Sequence, residues 1–346
     1  MAELDTAVAA ILADPMAHAR KAPRAIGFVG DVPADVLAAP GLTAVHLPWR
    51  VAEPSERSQQ WVEPSFGPHV WAMIEDWADG AYDFMEAVVF GRGDDSAQRL
   101  YYYICELQRV GELKGPRPLI WDAAFIPRPS SEAHAARAVR KLAEQLGVDD
   151  AGLAEGIVNA DHRREWLAAA QASRVGDGAR YERLARASLY APVEDLPLPE
   201  AGTAATGRVL LAGSAPADDT LHAAVDATGW AIVAEDHPLS LARLGAPIGD
   251  ASDPAAAIAA HARAASAAKR GFGDRAAHIV TAAREAKADA VILWLIEEEE
   301  ALSWHLPAQA AALDAAGIPH LILTRRAWHG RDGAGDTIAR FLEGLT

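Results

Sequence analysis

Cysteine is almost absent from this sequence of 346 residues, in which Cys105 is the single example. One cysteine excludes an intrachain disulfide, and it excludes a zinc or iron–sulfur site whose thiolates all come from this chain. A lone thiol in the middle of a predicted helix is typical of a small buried apolar residue. The chemistry that this chain supplies must therefore come from other residue types.

Several motifs of nucleotide-binding and hydrolytic enzymes are also missing. The sequence contains no GxGxxG, no GxxxxGK[ST] and no GxSxG. These motifs shape the phosphate-binding turns of dinucleotide and P-loop proteins and the nucleophile elbow of α/β-hydrolases. Their absence argues against hydride transfer from a bound dinucleotide, against a P-loop NTPase and against an α/β-hydrolase.

Basic residues are outnumbered, with 32 Lys and Arg against 48 Asp and Glu and a net charge of −16. No basic stripe with interleaved aromatic residues is present, so nucleic-acid binding is not expected. No apolar run approaches the length of a membrane span. The N-terminus places the acids Glu3 and Asp5 before its apolar part, unlike a secretory signal. We therefore expect a cytoplasmic protein that does not enter a membrane.

What the sequence does contain is an alternation of short apolar runs and helical patterns. Apolar runs bounded by turn residues are typical of parallel strands buried on both faces. Strands are predicted at residues 25–30, 43–48, 86–91, 117–122, 208–214, 230–237, 290–296 and 319–325. A leading helix is predicted over 1–22, an irregular loop over 49–68, and helical structure almost throughout 130–191.

This order predicts an α/β fold with two flavodoxin-like or Rossmann-like parallel-sheet domains and an intervening helical region. The predicted boundaries are 1–129 for the N-terminal domain with its leading helix, 130–206 for the helical region and linker, and 207–346 for the C-terminal domain. The two halves also resemble each other, since GDVPADVL follows the first strand of one and GSAPADDTL that of the other.

Polar residues follow several of the predicted strands. Ligands of open parallel sheets bind just beyond the carboxyl ends of the strands. The run AVILWLI (290–296) ends in four glutamates, 297–300, which lie at such a place. Two interpretations stay open: a direct role in a site, or a solvated first helical turn, where the helix dipole favours acids.

The candidate site combines residues from both halves. Gly213 and Ser214 open a helix after a strand, so their main-chain N–H groups could contact a phosphate or a thioester. Glu235, Asp236 and His237 end a strand and suit acid–base chemistry, although a structural cap also explains them. The catalytic candidates are Glu299, Asp94 and Asp236, and the substrate-binding candidates are Gly30, Asp31, Gly93, Gly213, Ser214 and Glu235. The spacing of His305 and His329 from the glutamate run does not demand a metal site, and none is expected.

The order of many segments resembles a known family. The segments are GDVPADVLAAPGLTAVHLP, EAVVFGRGDDSAQRLYYY, RVLLAGS, WAIVAEDH, GDRAAHIVTAAREAKADAVILW and AAGIPHLILTRR, within residues 25–345. Together they resemble the 2-hydroxyacyl-CoA dehydratase and benzoyl-CoA reductase subunit family, and its D-component in particular. The resemblance implies a subunit that pairs with a related subunit around an iron–sulfur cluster. It also implies an ATP-dependent activator that supplies a low-potential electron for dehydration or reduction of an acyl-CoA.

The sequence departs from this family at the segments that supply cluster cysteines. The first falls near Phe66 or Gly67, the second at Gly93 before Asp94, and the third near Glu299. The C-terminal run GDTIARFLE also carries Thr337 where the family has an arginine. One remote cysteine cannot replace three thiolates. The expectation is therefore no cofactor on this chain alone and a four-iron four-sulfur cluster in a partner, with Asp94 and Glu299 forming hydrogen bonds or a solvent network instead.

Three functional hypotheses follow from this comparison. The first is a cluster-free subunit of a dehydratase or reductase heterodimer, paired with a cysteine-bearing paralogue and shaping the acyl-CoA site and the interface. The second is a stand-alone acyl-CoA-binding protein without redox chemistry. The third is a structural or regulatory partner whose cleft is empty. Fold alone does not decide among them.

Overall fold

The computed structural model describes residues 2–51, 54–174, 176–196, 198, 204–240, 245–265 and 273–345, with side chains from residue 5 onward. The apolar runs form eight strands within these ranges. They are β1 (Ala25–Val29), β2 (Thr43–His46), β3 (Ala87–Gly91), β4 (Arg117–Trp121), β5 (Gly207–Gly213), β6 (Trp230–Asp236), β7 (Ala290–Ile296) and β8 (His320–Arg326). All eight lie where the sequence predicts strands, within one or two residues at each end.

The strands form two separate four-stranded sheets. The strand order is β2-β1-β3-β4 in the first sheet and β6-β5-β7-β8 in the second. Every pairing is parallel, as in the registers Ile26↔Ala87 and Val209↔Ala290. The predicted α/β class with two parallel-sheet domains is confirmed.

Helices cover both faces of each sheet. They are α1 (Ala2–Ala13), α2 (Ala34–Leu37), α3 (Glu56–Trp61), α4 (Pro68–Ala78), α5 (Asp95–Val110), α6 (Pro129–Gln145), α7 (Asp150–Ala172), α8 (Gly178–Ala187), α9 (Thr220–Asp226), α10 (Pro254–Ala265), α11 (Arg275–Glu285), α12 (Glu300–Ser303), α13 (Leu306–Ala315) and α14 (Ala334–Glu343). The predicted helical stretch 130–191 corresponds to α6, α7 and α8. No helix among the described residues is both long and apolar enough to cross a bilayer.

Two local predictions are wrong. The stretch 49–68 is not irregular throughout, because α3 forms within it. The Ser55 side chain accepts a hydrogen bond from the Ser58 amide and so caps the first turn of that helix. The leading helix ends at Ala13 rather than near residue 22, because Pro15 disfavours helical geometry in the residue before it. A separate 3-10 turn, Ala19–Lys21, follows.

The core of the first sheet includes a helix from late in the chain. Ala255, Ile258 and Ala259 of α10 are buried in the same apolar cluster as Val139 of α6. An ion pair between Arg140 and Asp253, 2.6 Å apart, borders this contact. Helix α10 thus packs on the first domain although it follows the first strands of the second. The predicted domain boundaries stay a prediction.

Candidate functional site

Aromatic side chains join the carboxyl ends of the two sheets. Trp49 follows β2, His69 lies in the first turn of α4, and Trp328 follows β8. The ring centroids of Trp49 and Trp328 are 5.5 Å apart, and that of His69 is 5.3 Å from the first and 5.1 Å from the second. The Trp328 indole donates to the Ala215 carbonyl at 3.1 Å, just beyond β5. The carboxyl ends of strands from both sheets therefore lie close together, and these rings pack between them.

His69 gives this aromatic contact a pH dependence. Burial lowers the pKa of His69 to about 4, although the residue as a whole is only partly buried. An unfolded chain takes up this proton near pH 6.5, so the contribution to stability is complete above that pH and is lost as the pH falls toward 4. Because the residue is only partly buried, we expect His69→Phe to reduce this loss of stability by roughly 2 kcal/mol.

Urea unfolding of wild type and His69→Phe at pH 7 and pH 4.5 measures this effect. The control is His162→Phe, since the His162 side chain is 56% exposed. An unchanged difference between the two pH values in His69→Phe would contradict the assignment.

The structure brings four candidates of the N-terminal half together. Gly30 has φ +73°, and a Cβ added there would lie 2.8 Å from the Asp94 Cβ. The Asp94 carboxylate accepts from the Ala97 amide at 2.8 Å and so caps α5. Asp31 is buried against β3, while Gly93 lies half-buried in the turn before Asp94. Gly30, Asp31, Gly93 and Asp94 thus share the carboxyl edge of the first sheet.

The candidate binding residues at the end of β5, Gly213 and Ser214, contact β7 within the second sheet. A Cβ added at Gly213, whose φ is +114°, would lie 2.3 Å from the Trp294 carbonyl oxygen. The Ser214 amide donates to that carbonyl at 2.8 Å, and the Ser214 hydroxyl accepts from the Ile296 amide at 3.3 Å. The main-chain donor predicted to meet a ligand at Ser214 is therefore already hydrogen-bonded within the protein. Its binding role stays a prediction.

Glu235 and Asp236 point to different surroundings. Asp236 lies 3.2 Å from His278 in an ion pair near the surface. Glu235 is buried, with its Oε1 2.7 Å from Arg174 Nη1 and 3.1 Å from His222 Nε2. Burial alone would raise the pKa of Glu235, but the Arg174 charge and His222 outweigh it and hold this pKa well below its usual range. Glu235 is thus an ionised member of a buried cluster that joins the segment after α7 to β6.

This cluster also contains three side chains of the types that bind metal ions. Ligand atoms of Glu182, His222 and Glu235 lie within 4.8 Å of one another. However, Arg186 forms an ion pair with Glu182 and Arg174 with Glu235. Two guanidinium groups balance two carboxylates, so the electrostatics do not call for a cation. His305 and His329 do not belong to this group.

The glutamate run begins a helix. Glu299 is the N-cap of α12, and its carboxylate accepts from the Leu302 amide at 3.0 Å. Glu297 lies 3.0 Å from the Arg325 guanidinium, and burial raises the pKa of Glu298. The arrangement matches the helix-start interpretation. A catalytic role for Glu299 stays a prediction.

The residues at the expected cluster segments do not fit an iron–sulfur cluster. Phe66 is buried beneath the Arg99 guanidinium, which lies 4.1 Å from the ring centroid, and Gly67 is the N-cap of α4. Cys105 is half-buried on α5, where burial raises its pKa despite a hydrogen bond with Tyr101. A cluster needs several thiolates, and these segments offer an aromatic ring, glycines and carboxylates.

A cavity of about 590 Å³ lies beside the first sheet. It borders the carboxyl end of β1, helices α2 and α7, and the end of α10. Its apolar lining comes from both strands and helices, while α7 supplies more of its polar lining than any other single element. Lining residues include Phe28, Asp31, Leu37, Leu42, Trp121, Val158, Asn159, His162, Arg163, Arg164 and His261. Of the predicted site residues, Asp31 is the one that lines it.

A buried ion network holds the wall of this cavity. The Arg164 guanidinium donates to both Asp35 carboxylate oxygens, at 2.8 and 2.9 Å, and to Asp161 at 2.6 Å. Asp161 also accepts from the amides of Ile248 and Gly249. The network therefore ties α7 to α2 and to the segment that leads into α10.

Sequence reasoning missed most of this cavity. Trp121 lies within the predicted strand 117–122, where an aromatic side chain is expected to be part of the core. The signal that could have found the wall is the recurrence of Asn159, Arg163 and Arg164 in the middle of a helix between two sheet domains. Polar residues at this spacing lie on one face of the helix. If that face is buried between layers, its polar side chains need hydrogen-bond or ion-pair partners.

Comparison with known proteins supports the sequence resemblance. No curated protein matches the chain. The family described as 2-hydroxyglutaryl-CoA dehydratase, D-component, matches over residues 30–343, which begins directly after β1 and includes the other seven strands and the helical region between the sheets. The chain belongs to this family of dehydratase D-components.

Proposed function

We propose that this protein is a cluster-free subunit of a 2-hydroxyacyl-CoA dehydratase-like or benzoyl-CoA reductase-like complex. The observation that carries the proposal is a family match over residues 30–343 in a chain whose one cysteine, Cys105, lies outside the three cluster segments. A cysteine-bearing paralogous subunit then holds the four-iron four-sulfur cluster, and an ATP-dependent activator serves that subunit. This chain contributes to the acyl-CoA site and to the subunit interface.

The cavity beside β1 supports an acyl-CoA role. Its volume of about 590 Å³ falls within the range of small-molecule sites, roughly 300–1,000 Å³. Phe28, Leu37 and Leu42 offer an apolar surface for an acyl chain. The Trp121 side chain is 1% exposed, and its indole nitrogen has no hydrogen-bond partner among the described residues. A thioester carbonyl would satisfy this buried donor.

The chain's own residues then bind and orient rather than transfer electrons. Arg164 is held by Asp35 and Asp161, so it fixes the shape of the cavity wall. Asp31 lies where the cavity approaches the carboxyl end of β1, and we assign to it the polar contact nearest the sheet. The partner's cluster, when present, supplies the electron chemistry of the dehydration.

Calorimetric titration with a series of acyl-CoA thioesters tests the binding role. Val158 lines the cavity and is 64% exposed, so Val158→Trp narrows the entrance without disturbing a core. The matched control is Val110→Trp at the end of α5, where the side chain is 50% exposed. We expect Val158→Trp to weaken binding by about tenfold or more and Val110→Trp to leave it unchanged.

Trp121→Phe refines this test because it removes the indole N–H and keeps an aromatic ring. It should weaken acyl-CoA binding more than binding of CoA alone, which lacks the thioester carbonyl. Equal acyl-CoA affinity in wild type and Val158→Trp would contradict the assignment of this cavity as the acyl-CoA site.

The alternative is a stand-alone acyl-CoA-binding protein without redox chemistry. It shares the cavity, so acyl-CoA titration does not separate the two functions. Co-purification does, because a stand-alone protein forms no stable heteromer with a cysteine-bearing paralogue.

A further inference from the structure

A row of aromatic rings runs from the cavity to the second sheet. Phe28 lines the cavity, and its ring centroid lies 5.1 Å from that of His46, its register partner on β2. The His46 ring centroid lies 5.6 Å from that of Trp49, which in turn lies 5.5 Å from that of Trp328 beyond β8. These four residues form the aromatic row. It joins a cavity beside the first sheet to a side chain held by the second.

Successive rings of the aromatic row are steeply inclined to one another. The interplanar angles along the row are 88°, 76° and 69°, so the edge of one ring meets the face of the next. Phe28, His46 and Trp328 are buried. Side chains in a close-packed interior cannot turn without moving their neighbours. A rotation of Phe28 is therefore passed along the row to the contact between Trp49 and Trp328.

The contact between Trp49 and Trp328 is the point where the row crosses from one sheet to the other. Trp328 is fixed on the second sheet, because its indole donates to the Ala215 carbonyl at 3.1 Å. On the other side, Trp49 Nε1 and His69 Nδ1 are buried and have no hydrogen-bond partner among the described residues. A buried polar atom without a partner costs free energy, and water that enters an opened contact removes this cost. Ring packing therefore favours a closed contact and hydration an open one, which makes the contact a two-state element.

We propose that a ligand in the cavity holds this contact closed. The identity of the ligand rests on the acyl-CoA role proposed above. When the cavity is empty, Phe28 has no atoms to pack against on that side, so its ring has room to turn away from His46. An acyl chain that fills the space keeps Phe28 against His46, and the row then keeps Trp49 against Trp328. Binding and closure are therefore linked, and the linkage is reciprocal: a change that opens the contact weakens binding by the same factor.

Hydrogen exchange of the Trp328 indole, followed by NMR of the full-length protein, measures opening of the contact without any ligand. Phe28→Ala removes the first ring of the row and should speed this exchange by about tenfold. The matched control is Ile26→Ala, since Ile26 is buried in the same apolar cluster on the same strand but neither lines the cavity nor belongs to the row. Trp328→Phe identifies the resonance. The same exchange rate in Phe28→Ala as in wild type or in Ile26→Ala would overturn the proposal.

Titration with butyryl-CoA tests the direction of the linkage. Saturating butyryl-CoA should slow the Trp328 indole exchange of the wild-type protein by about fivefold or more. Trp328→Leu should weaken butyryl-CoA binding by about the same factor, although Trp328 is outside the residues that line the cavity. The control is Trp304→Leu, which should bind like wild type because the Trp304 side chain is 84% exposed after α12. Wild-type affinity in Trp328→Leu would contradict the linkage.

The two measurements separate the aromatic row from the acyl-CoA role on which it builds. Faster indole exchange in Phe28→Ala, with no butyryl-CoA binding by the wild-type protein, would support the row and overturn the acyl-CoA role. Butyryl-CoA binding that leaves the Trp328 exchange unchanged would overturn the row and leave the acyl-CoA role standing. Slower exchange on binding, together with weaker binding in Trp328→Leu, would support both.

Discussion

Replacing Arg174 with methionine is expected to lower the free energy of unfolding by about 3–5 kcal/mol. The Arg174 side chain is fully buried and lies 2.7 Å from Glu235, whose side chain is 3% exposed. Its guanidinium also lies 4.4 Å from the Tyr181 ring centroid. Removing the arginine leaves the buried Glu235 carboxylate beside His222 and within 4.8 Å of the Glu182 carboxylate, and an unpaired buried charge costs far more than a pair contributes.

Equilibrium urea unfolding measures this loss, and two further variants identify its cause. Arg109→Met removes an ion pair with Glu106 in which the side chains are 70% and 59% exposed, so it should change stability by less than about 1 kcal/mol. Adding Glu235→Gln to Arg174→Met should restore part of the stability, because the uncompensated charge is gone. A loss of under 1 kcal/mol in Arg174→Met would show that the cluster does not join the helical region to the second sheet.

Gly91→Ala is expected to destabilise the protein by roughly 3 kcal/mol and to distort the carboxyl edge of the first sheet. A Cβ at Gly91 would lie 2.0 Å from the Asp31 carbonyl oxygen and 2.7 Å from the Asp31 nitrogen. Both are backbone atoms, so no side-chain rotation relieves the overlap. The strand end has to move, and Asp31, which lines the cavity, moves with it.

The control for Gly91→Ala is Gly273→Ala. Among the described residues other than its chain neighbours, no atom lies within 4 Å of a Cβ built at Gly273, and its φ is not in the left-handed region. Gly273→Ala should therefore leave stability within about 0.5 kcal/mol of wild type. Thermal unfolding compares stability, and acyl-CoA titration shows whether the cavity changes. Wild-type stability and binding in Gly91→Ala would contradict the close approach of β3 to Asp31.

The sequence predicts the strands well because their signal is local. The apolar run at 290–296 coincides with β7, and the run at 25–30 contains β1. Wrong predictions arise where one residue decides the outcome. Ser55 starts an unexpected helix by capping it, and Pro15 ends a helix earlier than its composition suggests.

The site is less predictable because its contacts are distant in sequence. Arg174 meets Glu235 across 61 positions of the numbering, and Arg164 meets Asp35 across 129. Neither ion pair leaves a pattern in the neighbouring sequence. A single arginine near the end of a helix, such as Arg174, would be predicted to lie on the surface. Glu235 is a good example: its place at a strand end suggested binding, whereas its surroundings make it half of a buried ion pair. Such pairs become visible only when the packing of helices on sheets is known.

Iron analysis of anaerobically purified protein tests the central claim most directly. The chain should be expressed alone and together with a cysteine-bearing paralogue, and iron, acid-labile sulfide and mass measured for each preparation. The account predicts no stoichiometric iron in the chain alone, and about four iron atoms for each cluster in a co-purifying heteromer. Stoichiometric iron and sulfide in the chain alone would contradict the cluster-free assignment, and the absence of any heteromer would contradict the subunit role.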